Sequence, residues 1–193
     1  MQSFRAITAL VLLTMSSPAV HAAIVPRPSP DFAINMGPGK QPVRVSQHKG
    51  KIVVVAFILT YSSPCQKVIG VLSKVQNDYG ARGLQVLASA TEDMAAAALP
   101  GFLRQFDPPF PVGVNTTDEF INYMQHPAVL QLYMPSLIFI DKEGIIRSQY
   151  EGRDTLLEES SMEKNIRAKV EEMLTRPAAT PKKGSAKKTR AKK

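Results

Sequence analysis

Apolar and polar positions divide the chain into short blocks of differing period, and the strongest block is Ile52-Val53-Val54-Val55-Ala56-Phe57-Ile58-Leu59. An unbroken run of mostly β-branched residues, without alternation, predicts a strand covered on both faces and therefore central in its sheet. Leu84-Gln85-Val86-Leu87-Ala88 is the next buried strand. Between the two, residues 65–79 place Val68, Ile69, Leu72, Val75 and Tyr79 at helical spacing, and Gly80 with Gly83 ends the helix. Strand, helix and strand in that order imply a right-handed crossover and a parallel pair.

The pattern continues in the same manner. A second helix is expected over 94–106, where Leu99, Leu103 and Phe106 form a stripe and Pro100 leaves open a break after the first turns. Residues 112–114 read as a brief strand and 117–124 as a short helix. Residues 137–140 are an apolar strand, Asp141-Lys142-Glu143-Gly144 has hairpin-turn chemistry, and 145–150 return. A last helix over 156–174 is expected to bury Met162, Ile166, Val170 and Leu174. Ahead of the central strand, the prolines of 23–30 make an extended lead-in. Residues 31–34 and 43–45 are short strands around the Gly37-Pro38-Gly39 turn. The sum is an α/β domain over 31–175: a central mixed β-sheet flanked by helices in three layers, with an N-terminal β extension.

The two ends change the picture of where the protein works. Arg5, the apolar stretch from Ala6 to Met15 and the small residues before Ala23 read as a signal peptide over 1–22, too short for a span that needs about 20 apolar residues. A soluble periplasmic or secreted product is expected. Residues 176–193 hold eight basic residues and no acidic one, against a net charge of +8 for the whole chain. The body is therefore near neutral, and the basicity belongs to the tail. With no aliphatic residue larger than Ala, the tail is expected to be disordered. It suits diffuse contact with anionic envelope surfaces, or simple solubilisation. Without aromatic residues to stack on bases it does not suggest a specific nucleic-acid partner. A single cysteine, Cys65, excludes an internal disulfide.

That cysteine lies where a buried strand ends and a helix begins. Unsatisfied N–H groups at a helix start favour negative charge, so a cysteine there ionises more easily. The flanking residues carry a resemblance. Lys49-Gly50-Lys51, the valine strand and Phe57-Ile58-Leu59-Thr60-Tyr61-Ser62-Ser63-Pro64-Cys65 look like the Gly-Lys, strand, Phe-x-x-Thr-Trp-Cys-x-Pro-Cys arrangement of thioredoxin-like exported proteins of the TlpA/redoxin (AhpC/TSA-like) type. Met134-Pro135-Ser136 with the following strand and Asp141-x-x-Gly144 is similar to their cis-proline loop and turn. The resemblance covers residues 31–152 and implies the thioredoxin-like fold. It also implies roles: the first cysteine of the pair attacks a substrate disulfide and the second resolves it. Cys65 falls on the second position and Ser62 on the first. Tyr61, Met134 and Pro135 fall where an extended peptide is held.

Two other alignments bear on the same loop. Peroxiredoxins place Thr-x-x-Cys-Pro here, which would set Ser63 on the peroxide-attacking position after Thr60, again without a sulfur. Copper-delivering relatives need two cysteines and a histidine beside the proline loop. One thiol, with His126 eight residues before Met134, gives no soft-metal site. No cofactor and no metal is expected. His48 and His126 read as isolated surface or loop residues, Tyr61 as packing or substrate contact, and Ser62 as a possible helix cap. Two functions stay open: a lone-thiol oxidoreductase forming mixed disulfides with a client protein, a peptide or a small thiol, served by an envelope thiol–disulfide partner, and a redox-silent module that binds a peptide in the same groove.

Overall fold

The computed structural model describes residues 24–177. The leader expected over 1–22 and the tail beyond Pro177 lie outside the described residues. The elements in chain order are β1 (Arg27–Pro28), β2 (Ala33–Ile34), β3 (Val43–Arg44), β4 (Ile52–Ile58), α1 (Ser63–Tyr79), β5 (Leu84–Ala90), α2 (Ala95–Phe106), β6 (Val112–Val114), α3 (Thr117–Met124), β7 (Ser136–Ile140), β8 (Ile145–Tyr150) and α4 (Met162–Thr175). The main sheet has the order β1-β8-β7-β4-β5-β6. Its β4, β5 and β6 run parallel, whereas β7 lies antiparallel to β4, so the sheet is mixed. The valine-rich β4 sits inside it, as its unbroken apolar run requires.

Side chains alternate across a strand, and β4 feeds two cores. Ile52, Val54, Ala56 and Ile58 join Val68, Ile69 and Leu72 of α1, Phe102 of α2 and Ile166 of α4. Val53, Val55 and Phe57 join Phe120, Tyr123 and Met124 of α3, together with Phe32 and Ile34. The Phe57 ring lies 4.4 Å from Phe120 and meets Phe32 edge-on at 5.5 Å. Each large side chain buried in this way contributes about 1.5–3 kcal/mol relative to exposure. Helix, sheet and helix layers follow from that two-sided demand.

Several details differ from the sequence expectation, among them the buried stripe of α2, which runs through Leu99 and Phe102 while Leu103 and Phe106 are only partly buried. Inside the lead-in, Arg27–Pro28 forms an edge strand on β8, a position that tolerates proline. Val45 does not extend β3 but opens a 3₁₀ turn through His48. Helix α2 continues through Pro100 at its middle, which forfeits one backbone hydrogen bond. The last helix begins at Met162, because Thr155–Leu157 form a separate 3₁₀ turn. Its buried face closes on Met173 rather than on half-buried Leu174. Among the described residues, no helix is long and apolar enough to cross a membrane.

Candidate functional site

Strand register assembles the site. Ile58 at the end of β4 pairs with Ala90 of β5, and Phe57 pairs with Ser136 of β7. Residues 59–62 therefore leave the sheet between the end of β5 and the start of β7, which sets Met134 and Pro135 beside them. The Met134–Pro135 peptide is cis. Met134 packs on the core cluster that contains Cys65. Behind this loop the Gly152 N–H donates to the Tyr133 carbonyl at 3.0 Å. A Cβ on Gly152 would stand 2.5 Å from the Met134 carbonyl oxygen, so the close approach requires glycine.

Helix α1 begins with Ser62 as its N-cap, in an extended conformation (φ −82°, ψ 119°), with Pro64 in the first turn. Proline suits that place because its missing N–H would have no helical partner. The Gln66 N–H donates to the Ser62 carbonyl at 2.9 Å. The Ser62 hydroxyl makes no backbone cap, contrary to its expected role. Cys65 is fully buried one turn deeper, and its Sγ accepts the Leu59 N–H at 3.3 Å. Burial pushes its pKa above the ordinary thiol value, with Glu92 adding to the rise; the Leu59 N–H and the Ser62 hydroxyl oppose it without prevailing. The helix start was expected to favour a thiolate. Desolvation wins, and the group is a neutral thiol at neutral pH.

Thr60 is buried, and its N–H donates to Glu92 Oε1 at 3.0 Å while its hydroxyl donates to the same oxygen. Its carbonyl accepts from Gln66 Nε2 at 2.9 Å. The Thr60 hydroxyl therefore gives its one proton to Glu92, while Ser63, set on the peroxidatic position by the alternative alignment, is exposed. Glu92 was missed by the sequence reading. The parallel register that pairs Ile52 with Leu84 carries forward to set residue 92 opposite residue 60, so the signal was present once strand pairing was known.

Tyr61 is 72% exposed, and Met94, Val129 and Leu130 are also exposed. They belong to the loops after β4, after β5 and before β7, which open at one end of the sheet. His126 is not an isolated surface residue: its Nδ1 lies 2.8 Å from Glu151 and its Nε2 3.2 Å from the Leu130 carbonyl. It braces the loop ahead of Met134. His48 is half-buried, with Nε2 enclosed and unpartnered, and burial lowers its pKa further than the nearby Lys51 does. Among the described residues no group of three or more His, Cys, Asp or Glu side chains gathers in a metal-binding arrangement.

The geometry agrees with known proteins. The AhpC/TSA family model matches residues 25–149. The thiol-disulfide oxidoreductase ResA of Bacillus thuringiensis subsp. konkukian is 28% identical over 127 residues, covering 66% of this chain and 69% of the relative. ResA of Geobacillus kaustophilus is 25% identical over 135 residues, covering 69% and 73%. Among solved structures, a thiol:disulfide interchange protein of the thioredoxin family from Chlorobium tepidum superposes with a TM-score of 0.62 at 20% identity, covering 77% of this chain and 97% of that one. A thiol:disulfide interchange protein from Bacteroides sp. gives 0.62 at 18% identity, covering 86% and 97%. The fold is thioredoxin-like.

Proposed function

The chain belongs to the AhpC/TSA family, and from that premise we propose that it holds an extended segment of a client protein against the Met134–Pro135 loop without completing a dithiol cycle on its own. The observation that carries this reading is Ser62 at the outward place of the helix start, with the single thiol enclosed one turn deeper. A serine hydroxyl is not ionised near neutral pH and has no sulfur to exchange. The loop before β7 can pair with an added strand, and exposed Tyr61, Met94, Val129 and Leu130 lie in loops at the same end of the sheet. The names of the relatives suggest clients that themselves undergo disulfide exchange. The apolar leader 1–22 is the ground for placing the protein in the cell envelope, with the basic tail directed at anionic surfaces there.

The test titrates the protein spanning residues 23–193 with carboxymethylated α-lactalbumin, an extended chain with no thiol to exchange. Saturable shifts in the amide spectrum at Tyr61, Met134 and Ser136 are expected. Their absence removes the binding reading. In parallel, Ser62→Cys is expected to form a disulfide with Cys65 and to gain insulin reductase activity that the parent lacks. A reduced pair under oxidising conditions would show that residue 62 does not occupy the attacking position.

A second reading has one observation in its favour: the Leu59 N–H donates to Cys65 Sγ at 3.3 Å, a contact that a thiolate would strengthen. In it, the Cys65 thiolate attacks a disulfide R–S–S–R′, forming Cys65–S–S–R and releasing R′–S⁻. Incubation with oxidised glutathione distinguishes the two readings: an adduct on Cys65 of the folded protein supports monothiol chemistry, and an unmodified chain supports binding alone.

A further inference from the structure

Between the ends of β4 and β5 the parallel ladder does not stop where the strands do. Beyond the Ile58–Ala90 pair, the Thr91 N–H still donates to the Ile58 carbonyl at 3.1 Å. One residue further the backbones part, and a side chain takes over: Glu92 Oε1 accepts both the N–H of Thr60, at 3.0 Å, and its hydroxyl. Leu59, the residue between these two anchored positions, is the one whose N–H is given to Cys65 Sγ. The loop is tied on its far side as well, by the Ser62 N–H to the Leu59 carbonyl at 3.1 Å and by Gln66 Nε2 to the Thr60 carbonyl at 2.9 Å. The Glu92 carboxylate thus reaches across from the loop after β5 to hold the segment that encloses the thiol.

We propose that Glu92 is the positioning residue that keeps the loop 59–62 closed over Cys65, so that access to the thiol is set by the Thr60–Glu92 contact and not by global unfolding. This rests on the reading above in which the loop is the working end, but it concerns the closed state of that loop and not what binds there. The physical basis is that a carboxylate accepting two hydrogen bonds in a partly buried place holds its donors more tightly than neutral acceptors do. Its second oxygen, Oε2, is enclosed and unpartnered, so all the holding passes through Oε1 onto a single residue. The loop's other ties run to α1 or within the loop itself, so the Glu92 contact is the side-chain link that joins it to the segment after β5, and losing it permits a local opening.

The experiment measures alkylation of Cys65 by iodoacetamide in the folded protein spanning residues 23–193, as a function of pH and of low urea, for the parent, Glu92→Ala, Glu92→Gln and Thr60→Val. Glu92→Ala removes both hydrogen bonds to Thr60 and is expected to raise the rate at least about tenfold, the scale of even one lost charge-assisted hydrogen bond. That rate should depend only weakly on urea, because a local opening exposes little surface. Thr60→Val, which removes the hydroxyl and keeps the N–H, should accelerate less. Glu92→Gln keeps an acceptor oxygen and removes the charge. Its plateau rate should stay below that of Glu92→Ala while the midpoint of its pH profile moves down, since the anion no longer opposes the thiolate. Parent-like rates in Glu92→Ala, or a urea dependence equal to that of global unfolding in every variant, would overturn the proposal. Titration of the same variants with carboxymethylated α-lactalbumin separates the two claims: binding that persists while alkylation is unchanged sinks the clamp alone, and binding lost in the parent sinks the reading of the groove.

Discussion

The turn at Asp141–Gly144 closes one end of the sheet and the loop 59–62 closes the other, and the two use their polar groups differently. Asp141 is 4% exposed; its Oδ1 accepts the N–H of Glu143 at 3.0 Å and of Ile145 at 2.9 Å, and its Oδ2 accepts from Arg147 Nε. Both oxygens are spent on the fold. At the opposite end Glu92 uses one oxygen, Ser62 caps nothing, Ser63 and Tyr61 face solvent, and the thiol is protonated and enclosed. The contrast teaches where to look for work in this fold: polar groups consumed by backbone mark a structural corner, and those left over mark the end proposed above to hold a client.

The largest expected way to break the contrast is Asp141→Ala. It strips the hairpin of its acceptor and leaves Arg147 half-enclosed without a counter-charge, and the loss should be about 3–5 kcal/mol in urea unfolding. Binding of carboxymethylated α-lactalbumin by the molecules that remain folded should not change. A loss of affinity there would mean that the two ends are coupled. Gly152→Ala comes next, since the added methyl meets the Met134 carbonyl. A cost of about 1–3 kcal/mol is expected, with at least tenfold weaker binding of the same chain. Parent-like affinity in a folded Gly152→Ala would take the Met134–Pro135 loop out of the binding face.

The smallest effect sharpens the comparison most. Thr116 caps α3 by accepting the Glu119 N–H at 3.2 Å, and the Glu119 carboxylate accepts the Thr116 N–H at 2.8 Å, whereas Ser62 at the same position of α1 caps nothing. Thr116→Ala should therefore cost about 1 kcal/mol, and Ser62→Ala less than about 0.5 kcal/mol. Equal losses measured side by side would show that Ser62 is a structural residue after all.

Much of the fold was legible because it is written in local periods. The apolar run of β4, the helical spacing of Val68, Ile69, Leu72 and Val75, and the Asp141-x-x-Gly144 turn each state their element without reference to the rest of the chain. Boundaries slipped where a neighbour decided them. Arg27–Pro28 became a strand because β8 had a free edge, and the last helix started late because residues 155–157 turned separately onto the core. In the candidate site, the sequence placed Cys65, Ser62 and Pro135 in their elements, but Glu92 gave no local sign of its role.

What the chain determined by itself is therefore its element order, its central strand, and a single cysteine in the first turn of α1 with serines ahead of it, since these depend on residue type and spacing alone. Only the tertiary structure decided that Cys65 is protonated, that Ser62 does not cap its helix, and that Thr60 answers to Glu92. Burial and strand register set the dielectric around a group and the identity of its partner, and both are properties of segments brought together from far apart in the chain.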